Sequence, residues 1–194
     1  MELLYIKRKS VFIAGTALLG SMVVVLDWMS KIAGLKISFV PPLAFLKFDT
    51  LGIPMLLAYF LFGLVSGMVA SMVAWLSISF RDPFGGFMKF LAEFSTIIGV
   101  YLVLRVHQPT SNWWKALSMV TGVLVRVIVM AVANILLLPI FTKTTTEFVF
   151  AWLHLFSLFN AIQGVISISG GFLIYEAVVL RLPSLKPNNT SSQT

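Results

Sequence analysis

Residues 51–80 run thirty positions without a charged side chain. Such a stretch is expensive to leave in water, and it exceeds the roughly 20 residues that one helix needs to cross the hydrocarbon of a bilayer. As one span it is long and as two it is short, and Phe62-Gly63-Leu64-Val65-Ser66-Gly67 at its centre offers a turn. Charge placement separates the two readings. With two short helices, six spans put Lys7, Arg8, Lys9, Arg105, Lys115, Arg181 and Lys186 on one side of the membrane. Lys31, Lys36, Lys47, Arg81 and Lys143 fall on the other, seven against five. With one helix the balance reverses, so the excess of Lys and Arg in cytoplasmic segments favours six spans with both termini cytoplasmic.

The remaining chain fits that frame. Hydrophobic residues make up 59% and charged residues 11%, against about 25% charged in soluble domains. The expected class is an all-α, polytopic membrane protein: a six-transmembrane-helix bundle over residues 1–183, with a polar cytoplasmic tail at 184–194. Lys7-Arg8-Lys9 precede an apolar run at 10–29 that is long for a signal peptide and lacks an A-x-A-like cleavage site; it reads as a retained first span. Residues 30–47, with Gly34 and Pro41-Pro42, read as an ordered outer loop. Arg81-Asp82-Pro83-Phe84-Gly85-Gly86 is a compact turn into a fourth span that ends near residue 106. Trp113-Trp114 anchor a fifth span reaching 141 past Pro139, residues 142–147 form a polar outer loop, and a sixth span covers 148–182.

The net charge of +7 is scattered between apolar spans rather than gathered into a basic patch, which excludes nucleic acid as a partner. Zero cysteines exclude disulfides and thiolate metal sites, and His107 and His154 form no metal cluster. No cofactor is expected. The chain carries no G-x-x-x-x-G-K-[ST], G-x-S-x-G or H-E-x-x-H motif, so it does not bind ATP in the P-loop manner.

Polar groups inside the spans carry the functional reading. Asn160 and Gln163 are three apart and share one helix face, and lipid offers their amides no partner, so that face should line a polar cavity. Phe159 adjoins it. Lys89 and Glu93, four apart, are either an i,i+4 ion pair inside the bundle, with Lys89 alternatively snorkelling to the outer interface, or ligand contacts, with Lys89 donating to a carbonyl or anionic oxygen. Asp49 is either a helix-capping carboxylate or a pocket acceptor. Asn134 either steadies the turn loosened by Pro139 or joins Asn160 at the same depth. Arg126 is expected to pair with Glu176. Among the aromatics, Phe48, Phe87, Phe90, Trp152 and Phe159 are candidates to stack on a planar ligand. In the first span, Ala14, Thr16, Ala17, Gly20 and Ser21 supply small-x-x-x-small spacings, either an internal seam or a docking face for another membrane subunit.

These pieces, in this order, resemble the S components (substrate-binding membrane subunits) of energy-coupling-factor (ECF) transporters, most closely the riboflavin-specific branch. The likeness rests on the basic start and small residues of the first span and on Leu46-Lys47-Phe48-Asp49-Thr50-Leu51-Gly52-Ile53-Pro54. It continues through the Phe62-Gly63 corner and Asp82-Pro83-Phe84-Gly85-Gly86-Phe87-Met88-Lys89, then Asn134 with Pro139 and Phe159-Asn160 with Gln163. It departs at Gln163, where that branch usually has lysine, at Gly52 in place of an acid, and at Lys89 and Glu93 in place of asparagine and a small residue. The resemblance implies a non-enzymatic vitamin-binding subunit in a prokaryotic plasma membrane. Its ligand would be riboflavin or another vitamin or precursor, such as a thiamine precursor or pyridoxine. It would dock through the first span onto a transmembrane coupling (T) subunit that carries two ABC ATPases. Asp49, Lys89, Asn134, Asn160, Gln163, Phe159, Phe87 and Glu93 would contact the ligand. Two rivals of other classes are an intramembrane enzyme using Glu93 or Asp49 as a base, and a purely structural assembly protein.

Overall fold

The computed structural model describes residues 2–106 and 112–182, with side chains from 9–106 and 113–182. The polar tail expected at 184–194 lies outside the described residues, as does His107. The order is α1 (Glu2–Ile32), a hairpin of β1 (Ile37–Ser38) and β2 (Lys47–Phe48), α2 (Gly52–Phe62), α3 (Leu64–Ser79), α4 (Pro83–Val106), α5 (Asn112–Thr142), α6 (Thr146–Ala151) and α7 (Leu153–Arg181). Four of these, α1, α4, α5 and α7, are long and apolar enough to cross a membrane, and α2 and α3 are shorter apolar helices.

The uncharged run is two helices joined by one residue. Gly63 has φ 89° and ψ −176°, a left-sided backbone that favours glycine, and the chain reverses there. Residues equidistant from it then face each other: a Cβ on Gly67 would sit 2.8 Å from that of Tyr59, and Ser71 Oγ donates to Met55 Sδ at 3.7 Å. Leu51, Met55, Ala58, Ala70 and Ala74 fill the seam between this hairpin and Leu19 and Val23 of α1.

Several ends are set by local chemistry. α1 closes in a Schellman pattern: Gly34 (φ 64°) lets its N–H reach Lys31 O at 3.3 Å while Leu35 N–H reaches Ser30 O at 2.9 Å. The turn before α4 is tighter than expected. Pro83 occupies the first helical position and the Asp82 carboxylate accepts from Gly85 N at 2.8 Å. α1 starts earlier than expected, taking the basic triplet into its first turns, since Lys and Arg are good helix formers wherever hydrocarbon no longer decides.

The span expected at 148–182 is broken at Trp152. Thr145 Oγ1 caps α6 by accepting from Phe148 N at 3.2 Å. Val149 of α6 is then buried with Leu43, Leu138 and Phe156. Leu43 belongs to the loop after α1, so the short helix exists to seat that loop. α4 and α5 approach closely where Gly99 meets Gly122, a Cβ on the former falling 2.7 Å from the latter's Cα.

Candidate functional site

α4, α5 and α7 diverge beneath the β1–β2 loop and leave a cavity of about 590 Å³. Each helix contributes one face. On α5, Arg126, Met130, Asn134 and Leu138 follow at intervals of four; on α4, Gly85, Met88, Lys89 and Ala92; on α7, Phe159, Asn160 and Gln163. The loop supplies Lys36, Phe45, Leu46, Lys47 and Asp49, and the α3–α4 turn supplies Asp82. Size and mixed lining suit a small organic ligand.

The amides differ in what they leave free. Asn160 donates from Nδ2 to its own helix at Phe156 O, 2.9 Å, so its Oδ1 is the group available to a ligand. Asn134 makes no hydrogen bond among the described residues and stays amphoteric; α5 continues helically past Pro139 to Thr142. Gln163 is spent at both ends on one backbone unit, donating to Asp49 O at 2.8 Å and accepting from Asp49 N at 3.3 Å. It fastens the loop to α7 while lining the cavity.

A chain of alternating charges runs under these groups. The Asp49 carboxylate accepts from Leu51 N at 3.1 Å and from Lys89 Nζ at 2.7 Å, so it both caps locally and pairs. Lys89 Nζ lies 3.0 Å from Glu93 Oε1, and Arg126 Nη1 lies 3.0 Å from that same oxygen. Arg126 Nη1 also donates to Thr96 Oγ1 at 3.2 Å. Glu93 is 0% and Arg126 1% exposed. Two cations on one carboxylate oxygen, with Asp49 beyond, make the set neutral overall, the condition under which ions persist away from water.

Three expectations need correction. Arg126 pairs with Glu93 and not with Glu176, which binds Lys115 at 2.8 Å. The antiparallel register of α5 and α7 sets Gly122 against Ile168 and Arg126 against Gly164, which leaves Glu176 about three turns away. Glu93 lies behind the cavity wall rather than in it. Phe87 points off the cavity and meets Trp75 edge-on at 6.0 Å, because two residues from Lys89 is about 200° around the helix. Of the other aromatics, Phe90 stacks on Trp75 as well, while Phe48 closes onto Phe159 at 4.7 Å. Trp152 packs with the Leu43 cluster.

The small residues of α1 divide between its two sides. Thr16, bonded to Ser66 Oγ at 2.6 Å, and Gly20 are buried against α3. Ala14, Ala17 and Ser21 are exposed.

Sequence reasoning missed the cavity role of Arg126 and of Met130, although residues 126, 130, 134 and 138 repeat every four positions. It also missed Asp27, an acid set inside the first apolar run.

The chain is a multi-pass membrane protein with the S-component fold. It superposes on a solved S component of a bacterial ECF transporter with a TM-score of 0.75, covering 90% of this chain and 98% of that one at 22% identity. Over 96 residues it is 34% identical to the riboflavin transporter RibU of Staphylococcus aureus (strain TCH60). That alignment takes in 48% of this chain and 47% of the relative, so the chain spans about half the length of the curated relative it matches. No family model matches.

Proposed function

We propose that this chain is the substrate-binding subunit of an ECF-type vitamin importer and that its ligand is riboflavin. The observation that carries this is one cavity into which Lys89, Asn134 and Asn160 converge from three helices, with Phe159 on its wall and a fastened loop over its mouth. An ammonium and two amides suit the carbonyl and imide edge of a planar heterocycle, and phenylalanine suits its face. The S-component fold and the likeness to a riboflavin transporter support the same reading.

The chain then has six spans, α1 to α5 and α7. Both termini are cytoplasmic, and the cavity opens to the outside of a bacterial plasma membrane. A transmembrane T subunit with two ABC ATPases supplies the energy, docking on the exposed Ala14, Ala17 and Ser21 face of α1. Ala17→Leu should abolish co-purification with such a module while leaving ligand affinity within about twofold, since its side chain faces away from the bundle; an intact complex would move docking elsewhere. Against an enzyme stands the environment of both candidate bases: Glu93 is behind the wall with two cations on one oxygen, and Asp49 is held by Lys89. A purely structural protein has no use for a cavity of this size with polar groups converging into it.

The test is fluorescence titration. Five tryptophans supply the signal, and riboflavin should quench it saturably at one ligand per chain. No saturable change with riboflavin, alongside a response to pyridoxine or a thiamine precursor, would reassign the ligand. Silence across all of them would overturn the binding role.

A further inference from the structure

Asp27 takes no part in the cavity wall, yet it is 0% exposed near the C-terminal end of the apolar helix α1. Its two carboxylate oxygens go to two different segments. Oδ1 accepts from Lys36 Nζ at 2.8 Å, and Oδ2 accepts from Arg81 Nη2. Lys36 belongs to the loop over the cavity and lines it; Arg81 sits in the α3–α4 turn beside Asp82, which lines it too. One carboxylate thus joins the loop and the turn to α1.

Both sides of this joint are internally ordered. The α3–α4 turn is fixed by its own hydrogen bonds, Arg81 N and Asp82 N both donating to Ile78 O, and the Arg81 guanidinium lies 4.7 Å over the Trp28 ring. The loop has a frame of its own, Phe39 N donating to Leu46 O, Leu43 N to Val40 O and Leu46 N to Leu43 O, and so moves as one body. It is fastened at its far side by Leu43 in the α5–α7 cluster and by Phe39 and Phe48 on Phe159. Its end at Asp49 is held by Gln163 and Lys89, and its end at Lys36 by the ion pair with Asp27. Without the carboxylate, Lys36 and Arg81 become two facing cations, and attraction between loop and turn becomes repulsion.

We propose that Asp27 is a positioning residue that keeps the loop seated over the cavity by binding Lys36 of the loop and Arg81 of the α3–α4 turn. It therefore sets how fast solutes enter and leave. In a vitamin-binding subunit, a reading on which the exchange of ligand (though not the closure itself) rests, this fixes the residence time of the ligand.

The chain has no cysteine, so a single engineered thiol reports closure without any ligand. Ala92→Cys places it on the cavity wall, where Ala92 is 3% exposed. In purified full-length protein, a small charged methanethiosulfonate should label this position about tenfold faster once Asp27→Asn is added. Asp27→Glu should stay near the parent rate. Lys36→Met releases only the loop and should accelerate labelling as well, which keeps the test valid if Asp27→Asn folds poorly. Val100→Cys, buried in the core away from the cavity, should label slowly in every background. Unchanged labelling at Ala92→Cys, or equal acceleration at Val100→Cys, would overturn the proposal. Because the reporter needs no ligand, that failure leaves the riboflavin reading untouched, and a lack of riboflavin binding leaves this one standing.

Discussion

Glu93→Gln is expected to lower the thermal midpoint of the purified protein by about 10 °C. The carboxylate it removes carries Lys89 and Arg126 on one oxygen. Lys89 keeps Asp49, but Arg126, 1% exposed, is left with a single neutral partner in Thr96. Stranding one member of a buried ion pair costs about 3–5 kcal/mol, and each kcal/mol moves the midpoint of a chain this size by roughly 2–4 °C. Adding Arg126→Gln should recover more than half of the loss, because no charge is then left unpaired. Far-UV circular dichroism on heating in detergent checks both. A Glu93→Gln protein that melts with the parent would mean that water reaches Arg126 and that the charge chain is not a structural unit.

The second large effect concerns the amides. Asn160→Ala removes the free Oδ1 that faces the cavity, and Asn134→Ala removes both groups of an uncommitted amide. Leaving a ligand's polar edge unpaired in a closed site costs about 1–3 kcal/mol per contact, or roughly 10- to 100-fold in affinity. The double variant should therefore bind riboflavin on the order of 1,000-fold more weakly, with a midpoint within a few degrees of the parent. Gln163→Ala should behave differently. Its amide holds the backbone of Asp49, so the loss should speed entry as well as release, whereas a missing contact speeds release alone. Stopped-flow fluorescence separates the two, and equal entry rates in Asn160→Ala and Gln163→Ala would remove that distinction.

The parts of this fold that were legible in the sequence are those set by local rules. An uncharged run with a glycine at its centre can satisfy its backbone and its length only by folding back, and Gly63 does so. Helix ends at Gly34 and Asp82 follow from cap chemistry. Asn160 and Gln163 share a face because three residues on a helix always do. What was not legible depends on register between helices. Arg126 was assigned to Glu176 on approximate depth alone. Nothing in the sequence says that α5 and α7 set residue 126 against 164, or that Gly99 and Gly122 bring Glu93 within reach. The break at Trp152 also required knowing that Leu43, a hundred residues earlier, comes to rest on Val149. Asp27 attracts no attention until its two partners, from separate segments, are seen on its two oxygens.

The single-residue hinge at Gly63 has a consequence for the surrounding lipid. On the six-span reading proposed above, α2 and α3, at 11 and 16 residues, rise about 16 and 24 Å, short of the roughly 30 Å of acyl chain they would cross. The neighbouring α5, at 31 residues, overshoots it. The bilayer must pinch on one flank and swell on the other, or the whole body must lean, and every ångström of misfit costs a fraction of a kcal/mol. Acyl-chain length is thus a physical control on the resting orientation of this protein, and shorter lipids relieve the pinched flank first.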